Sequence, residues 1–123
     1  MPEGRGTDER ESAVLDWYRE RLSEAIGQRL PLWENATGLR CASWRIKRMK
    51  TRWGSCNTRE GRIWLNLYLA QTPTYCLDYV LLHELCHLRF ADHGAGFKAL
   101  LDSHMPDWRQ RRKLLNSYLP GVI

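Results

Sequence analysis

The chain has 123 residues, of which 43% are hydrophobic and 27% charged, with 19 Lys and Arg against 14 Asp and Glu. This composition is ordinary for one soluble globular domain, and the absence of a long apolar run excludes a membrane-spanning helix. The charged N-terminus does not resemble a signal peptide, and the four cysteines form no C-x-x-C pair. We therefore expect a cytoplasmic protein with free thiols and no membrane partner. Residues 1–7 are expected to be mobile, and residues 8–123 to form the single domain.

The first third of the chain is predicted to be helical. From Asp8, apolar residues recur at spacings of three and four, which predicts an amphipathic helix that runs to about Arg29. Pro31 is expected to interrupt this helix. Residues 32–37 are then expected to form a short helical turn that Gly38 ends in the left-handed conformation.

Two stretches in the middle of the chain alternate between apolar and polar residues. Residues 41–50 and residues 63–69 both show this pattern, which is typical of half-buried strands. Residues 57–61 have turn composition and lie between them. The two strands are therefore predicted to pair as an antiparallel hairpin, with residues 51–56 as an irregular corner.

Helices are predicted to occupy the rest of the chain. Thr72-Pro73 supplies a cap and a first position for a helix that is apolar nearly all round, so this helix should lie at the centre of the domain. Another helix is expected from about Ala95 to Ser103. The last helix restarts at Pro106-Asp107 and ends at Pro120-Gly121.

The central helix carries the sequence His83-Glu84-Leu85-Cys86-His87. Residues four apart lie on the same face of a helix, so His83 and His87 can bind one metal ion. Glu84 lies beside them without occupying a ligand position, and there it can take a proton from a water that the metal activates. The alternative is a buried structural histidine pair, but two histidines and a carboxylate on an apolar helix are costly to bury without a metal.

His93 is the candidate for a third metal ligand. It follows His87 by six positions, beyond the end of the helix. Three histidines with one open position for water make the catalytic form of a zinc site. The alternative for His93 is a helix cap or a surface residue. Cys86 is an alternative ligand beside His83, although the role of a small buried apolar residue suits it better.

Several short motifs occur together in this chain: Thr51-Arg52-Trp53-Gly54-Ser55-Cys56, Asn66, Tyr79-Val80, His83-Glu84-Leu85-x-His87-Leu88, His93-x-x-x-Phe97 and Pro106-x-Trp108. In combination they resemble the YgjP-like small zinc metallopeptidases over about residues 12–119. The resemblance implies an α+β fold: a minimal zincin-like domain with a small, mostly antiparallel sheet, a central active-site helix and N- and C-terminal helices. It also implies that His83, His87 and His93 bind Zn²⁺ and that Glu84 is the general base for hydrolysis of a peptide or protein substrate. Cys86 replaces the small residue, usually Ala, that the family has there, and a thiol of similar size should leave the site intact.

Two other peptidase families share part of this pattern. The metzincins have the same spacing between the second and third histidines, but they place Gly in a tight turn where this chain has Phe90. The SprT-like peptidases, which act on DNA-associated proteins, share the His93-Gly94 and Phe97 features. This chain has no downstream cysteine pairs to build the zinc ribbon that many SprT-like peptidases carry.

Positive charge is concentrated in the middle of the chain. Residues 40–62 hold eight Lys or Arg and one Glu, a net charge of +7, whereas residues 1–39 sum to −3. Such a hairpin could bind nucleic acid weakly, with Trp44, Trp53 and Trp64 as stacking faces, or it could attract acidic protein segments. The simpler alternative is a solvated surface with the tryptophans in the core. The alternative function is therefore a nucleic-acid-associated zinc-binding module, SprT-like or non-catalytic, that uses the basic hairpin 40–62.

Four further residues are candidates for contacts with the substrate or with the oxyanion: Arg52, Trp53, Asn66 and His104. The resemblance also places the strand at residues 63–69 at the edge of the cleft, where its backbone could pair with an extended peptide. That expectation requires the strand to lie at the edge of its sheet.

Overall fold

The computed structural model describes residues 3–118, with side chains from Ser12 onward. The fold has four helices and a three-stranded sheet, which confirms the α+β class. No helix in the described range is both long and apolar enough to cross a membrane. The mobility of residues 1–7 stays a prediction. In chain order the elements are α1 (Glu3–Thr37), β1 (Ser43–Lys47), β2 (Gly54–Asn57), β3 (Arg62–Asn66), a 3-10 helix (Leu67–Gln71), α2 (Thr74–His87), α3 (Ala95–His104) and α4 (Trp108–Tyr118).

Helix α1 continues through Pro31, so the predicted interruption there is wrong. A proline inside a helix removes one backbone hydrogen bond. Here Ile26 and Leu30 are buried in the core before Pro31 and Trp33 packs against the core after it, so tertiary packing holds the helix on both sides of the proline. Residues 32–37 therefore extend α1. Gly38 ends it with a φ of 75°, as predicted.

The sheet is mixed, with β3 at its centre. β1 pairs with β3 in parallel, and β2 pairs with β3 antiparallel. The predicted antiparallel hairpin between residues 41–50 and 63–69 is therefore wrong. Alternation shows which side chains share a face, but it does not show strand direction. The antiparallel partner is instead the strand at residues 54–57, for which the sequence predicts the end of the corner and the first residue of the turn.

Asn66 ends β3 and holds in place the segment between β1 and β2. Its Nδ2 donates to the carbonyls of Met49, at 3.0 Å, and of Arg52, at 2.8 Å. Its Oδ1 accepts a hydrogen bond of 3.1 Å from the backbone N–H of Tyr68. The predicted strand over residues 63–69 therefore stops at Asn66, and the chain turns into the 3-10 helix.

Helix α2 lies at the centre of the domain. Ten of its 14 residues are buried, which confirms the predicted position. The predicted cap is wrong, because Thr72 belongs to the end of the 3-10 helix, where its hydroxyl donates to the carbonyl of Leu69 at 2.8 Å. Pro73 occupies the cap position of α2, and the helix begins at Thr74.

An ion pair joins α1 to α2. Nε of Arg29 donates to Oδ1 of Asp78 at 2.8 Å, and Nη2 donates to Oδ2 at 2.7 Å. Asp78 is nearly buried, so this two-point contact satisfies a carboxylate that would otherwise be costly to bury.

Helices α3 and α4 cover the other side of α2. The prediction for α3 is confirmed to within one residue. Asp107, just before α4, accepts hydrogen bonds from Nε of Arg111 at 3.0 Å and from the hydroxyl of Tyr75 at 3.1 Å. This network ties the start of α4 to the first turn of α2. The predicted end of the last helix at Pro120-Gly121 lies outside the described residues.

Candidate functional site

Three histidines converge at the end of α2. His83 and His87 lie one turn apart on this helix, and His93 lies in the loop that follows it. Each offers a ring nitrogen, and these three atoms all lie within 4.8 Å of one another. The loop can return because the N–H of Phe90 donates to the carbonyl of Cys86 at 2.9 Å, which closes the end of the helix tightly.

The ring of His87 is oriented by the backbone. Its Nδ1 lies 3.1 Å from the carbonyl oxygen of Phe90, which can only accept, so the proton resides on Nδ1 and Nε2 keeps its lone pair. That Nε2 lies 3.0 Å from Nε2 of His93. Two nitrogens that bind one zinc ion tetrahedrally at 2.0–2.1 Å lie roughly 3.3 Å apart. The spacing and the donor type therefore fit a shared metal ion.

Phe97 supports all three imidazoles. Its ring centroid lies 5.0 Å from that of His83, 4.6 Å from that of His87 and 5.0 Å from that of His93. Phe97 is buried at the first turns of α3. The Phe97 ring limits the rotation of the three imidazole rings. The sequence motif that contains Phe97 does not by itself indicate this role.

Glu84 lies beside the histidines and is only 4% exposed. Its Oε2 lies 3.2 Å from Nδ1 of His83. Because a carboxylate oxygen accepts, this contact places the proton of His83 on Nδ1 and leaves Nε2 for a metal. Glu84 itself does not belong to the group of potential ligand atoms.

Cys86 is buried in the core and is not part of this ligand group. Burial raises the pKa of its thiol to about 12, and the charge of Glu84 acts in the same direction. A thiol that stays protonated is a poor metal ligand. The arrangement therefore favours three histidines over a set that includes Cys86.

The pKa of His93 is lowered from its ordinary value. Partial burial is the main cause, and the neighbouring His83 and His87 rings lower it further. A histidine that remains neutral keeps the lone pair that a metal requires.

A cleft of about 840 Å³ opens over the histidines. α2 contributes Tyr79, Val80, His83, Glu84 and His87 to its lining. Of the four predicted contact residues, Arg52 and Trp53 line the cleft, and the indole N–H of Trp53 donates to Oδ1 of Asn116 at 3.3 Å. Asn66 is fully buried with its amide engaged by backbone groups, and His104 lies in the last turn of α3; neither lines the cleft.

The strand at the edge of the cleft is β2. The expectation that residues 63–69 form this edge is wrong, because β3 is paired on both sides. Gly54, Ser55 and Cys56 of β2 line the cleft instead, and one edge of β2 is not paired with another strand in the described sheet. The segment over residues 51–56, read as a corner, therefore forms one wall of the site.

Helices α3 and α4 also contribute residues to the lining of the cleft, and the sequence motifs assign these residues no role. Trp108, Arg112 and Leu115 recur at spacings of four and three on one face of α4, and Lys98 projects from α3. The sequence holds one indication of this wall: Arg112 is a charged residue on the otherwise apolar face of α4 that carries Trp108 and Leu115. The ring of Trp108 stacks on Tyr79 with centroids 6.3 Å apart, which brings this face of α4 to the cleft.

The basic segment over residues 40–62 does not form the expected hairpin, since β1 and β3 run parallel. Trp64 is partly exposed on β3, with Nζ of Lys47 4.7 Å and Cζ of Arg62 5.9 Å from its ring centroid. Trp53 is buried, and Trp44 packs against the core. Among the three tryptophans expected to offer stacking faces, Trp53 is therefore shielded from solvent. The ring of Trp64 is partly exposed but is contacted by the side chains of Lys47 and Arg62.

The chain is similar to one protein family over nearly its whole length. The family model described as "YgjP-like, metallopeptidase domain" matches residues 1–118. No match is found among curated proteins.

Two crystal structures share the fold. One is the metallopeptidase zymogen of Pyrococcus abyssi abylysin, with a TM-score of 0.73, 18% identity, and coverage of 80% of this chain and 98% of that chain. The other is the metallopeptidase zymogen of Methanocaldococcus jannaschii jannalysin, with a TM-score of 0.67, 21% identity, and coverage of 76% and 96%. At these identities the likeness concerns the compact α+β fold.

Proposed function

This chain belongs to the YgjP-like metallopeptidase family and is a metal-dependent peptidase, and on that premise we propose that it cleaves peptide bonds with a zinc ion held by His83, His87 and His93. One observation carries the proposal. Three ring nitrogens converge at the floor of a cleft, directly beside a carboxylate that is nearly buried. Hydrolysis by a metal-activated water requires both a set of metal ligands and a nearby general base.

The donor set supports zinc as the metal. Three imidazole ligands leave one tetrahedral position open, as catalytic zinc sites do. The carbonyl of Phe90 and the ring of Phe97 hold the imidazoles in place before any ion is bound. When bound, zinc acts as a Lewis acid that lowers the pKa of water and polarises the scissile carbonyl.

Glu84 is proposed to move the proton. It accepts a proton from the attacking water on its carboxylate and then donates it to the amine nitrogen of the departing peptide. Its position next to His83 brings it to the reacting centre, while its burial keeps bulk water away from the carboxylate. Of the four residues predicted to contact the substrate or the oxyanion, Arg52 and Trp53 line the cleft and remain candidates for contacts with the substrate.

β2 is proposed to hold the substrate in an extended conformation. Its unpaired edge offers backbone N–H and carbonyl groups beside the histidines, and an extended peptide can add to such an edge. Glu84 and the histidines lie on the floor below that edge, so the peptide backbone would pass over them.

The decisive experiment combines metal analysis with a cleavage assay. Glu84→Gln keeps the size of the side chain but removes the base, so we expect an unchanged zinc content and a loss of hydrolysis of roughly hundredfold to ten-thousandfold on an unfolded peptide mixture. Glu60→Gln, which removes an exposed carboxylate in the turn before β3, is the matched control and should cleave like the wild type. Full cleavage by a folded, zinc-loaded Glu84→Gln protein would show that the proposed mechanism is wrong.

The alternative, a nucleic-acid-associated module with structural zinc, is less well supported. It calls for a closed site with Cys86 as a fourth ligand, but Cys86 lies apart from the ligand group. It also calls for exposed stacking faces, and Trp53 is buried. A cytoplasmic location is part of the proposal, because all four cysteines are free, as in a reducing compartment.

A further inference from the structure

We propose that the cleft selects peptides that carry a carboxylate group near the scissile bond, and that Arg52, Lys98 and Arg112 bind this group. The inference rests on the proposed peptidase function and names the class of substrate. Its starting observation is that the three cations come from three separate parts of the chain and line the same cleft. Arg52 precedes β2, Lys98 belongs to α3 and Arg112 to α4.

The charge of the cleft lining is strongly one-sided. Among the described residues that line it, Glu84 is the sole carboxylate, and Glu84 is assigned to proton transfer rather than to neutralising a cation. A ligand that enters the cleft therefore meets three positive side chains and no surplus of negative ones. Such a lining favours anionic ligands both in binding and in the rate of encounter.

The three cations are also unpaired within the part of the chain whose side chains are described. None of them forms an ion pair or a side-chain hydrogen bond with a carboxylate in residues 12–118. Other arginines of the chain do: Arg29 pairs with Asp78, Arg109 with Asp102 and Arg111 with Asp107. The cleft cations are exposed and keep their charge available for a ligand.

Arg112 lines the same cleft as the histidine cluster. Tyr79, another lining residue, connects the two, because its ring centroid lies 5.6 Å from that of His83. Arg112 follows Trp108 by one helical turn, and Trp108 stacks on Tyr79 in the same wall. A carboxylate bound by Arg112 would therefore lie close to the reacting centre.

The basic segment over residues 40–62 extends the same field beyond the cleft. It carries a net charge of +7 and contains both Arg52 and β2, which line the cleft. An acidic peptide approaching along this surface would be guided towards the cleft edge.

Two sources can supply the carboxylate. One is an Asp or Glu side chain of the substrate, and the other is the free C-terminus of the peptide. A guanidinium group binds either one through two parallel hydrogen bonds. The experiment separates these sources with two pairs of fluorogenic peptides.

The first pair is amidated at the C-terminus and differs by Glu or Gln beside the scissile bond. The second pair is neutral and has either a free or an amidated C-terminus. With zinc-loaded protein, we expect a higher kcat/KM for the peptide with the carboxylate in at least one pair, and a smaller preference at higher salt. Arg52→Gln, Lys98→Gln and Arg112→Gln should each reduce that preference by about twofold to fivefold, the range of one solvent-exposed ion pair.

Lys113→Gln is the matched control. Lys113 is an exposed cation next to Arg112 on α4, but it does not line the cleft, so its substitution should leave the preference unchanged. Equal kcat/KM values within both pairs, or an equal effect of Lys113→Gln and Arg112→Gln, would overturn the inference.

Binding measurements keep the inference separate from the proposed function. Fluorescence anisotropy of the same peptides with zinc-loaded Glu84→Gln reports charge selection even if the wild type cleaves none of them. Absence of cleavage together with selective binding would reject the peptidase mechanism but support carboxylate selection. Tighter binding of a single-stranded oligonucleotide than of any peptide, weakened by the same three substitutions, would show that the cations serve phosphate groups and would overturn the inference.

Discussion

Gly54 of β2 lies directly against Glu84 of α2. A β-carbon added to Gly54 would come within 3.1 Å of Oε2 of Glu84 and within 3.0 Å of Cγ1 of Val80. The backbone carbonyl of Trp64 would lie 3.1 Å away on the other side. The strand therefore approaches the helix closely enough to border the cleft only because residue 54 has no side chain.

We expect Gly54→Ala to reduce peptide cleavage by about tenfold to hundredfold, because a displacement of the base by a fraction of an ångström misaligns it with the reacting atoms. Zinc content should change little, since the three histidines lie on α2 and the loop after it. Steady-state kinetics and metal analysis provide the measurement. The control is Gly27→Ala in α1, where a β-carbon meets nothing within 4 Å, and this variant should keep full activity. Full activity of Gly54→Ala would contradict the assigned contact.

The three histidines should lose zinc and stability together. Metal that binds only the folded chain stabilises it by linkage, so a hundredfold weaker site costs about 2.7 kcal/mol when zinc is in large excess. We expect His83→Ala, His87→Ala and His93→Ala each to lower both the zinc content and the melting temperature. His104→Ala is the matched control, because His104 lies outside the cleft. Stoichiometric zinc in His93→Ala would remove His93 from the ligand set.

Removing one partner of the ion pair between Arg29 and Asp78 should destabilise the fold. Asp78→Ala leaves Arg29 without its two-point acceptor, and Arg29→Met leaves a nearly buried carboxylate without a donor. Because the Arg29 side chain is 35% exposed, we expect a loss of about 1–3 kcal/mol rather than the larger cost of a fully buried pair. Urea unfolding measures it. The larger loss should belong to Arg29→Met, and an unchanged midpoint in both variants would argue against the pair.

Asp107 should make stability depend on pH in the acidic range. Its partial burial would raise the pKa of the carboxyl, but hydrogen bonds from Arg111 and Tyr75 outweigh this and lower the pKa below its ordinary value. A lowered pKa in the folded state gives stability that is present above the unfolded pKa of about 3.9 and is lost as the pH falls through the folded pKa.

Unfolding of wild type and Asp107→Asn, measured from pH 6 to pH 2.5, tests this dependence. The wild type should be more stable at pH 6, and the difference should shrink progressively below about pH 4. A difference that stays constant over the whole range would show that Asp107 acts through its shape rather than its charge.

The sequence predicted the helices and the histidine cluster because both depend on local spacing. The i, i+4 relation of His83 and His87 holds in any helix, and the apolar run around them required a buried one. The predicted interruption at Pro31 is wrong because local spacing does not include tertiary packing. The cost of a proline in a helix is local, while the core packing of Leu30 before it and Trp33 after it, which outweighs that cost, is tertiary.

Strand direction and the walls of the cleft depend on contacts between distant residues. Alternation at residues 43–47 and 62–66 is compatible with either pairing direction, and the short strand at Gly54–Asn57 has no apolar pattern to mark it. Arg112 reaches the cleft because α4 packs beside α2, and no motif encodes that packing. Asn66 was a candidate for a substrate contact, but its amide donates to the backbone carbonyls of residues 49 and 52 instead.

The parallel pairing of β1 with β3 sets the order in which the sheet can assemble. β2 and β3 are joined by a tight turn, in which the N–H of Gly61 donates to the carbonyl of Asn57 at 2.8 Å, and such a hairpin can form within about 1–10 μs. β1 pairs with β3 across the longer loop of residues 48–61, which contains β2, so we expect this pairing to follow the hairpin. We therefore expect substitutions in β1 to speed unfolding and substitutions in the β2–β3 hairpin to slow folding, which a chevron analysis would measure. On this kinetic scheme the strand that borders the cleft forms early, and the basic edge strand docks last.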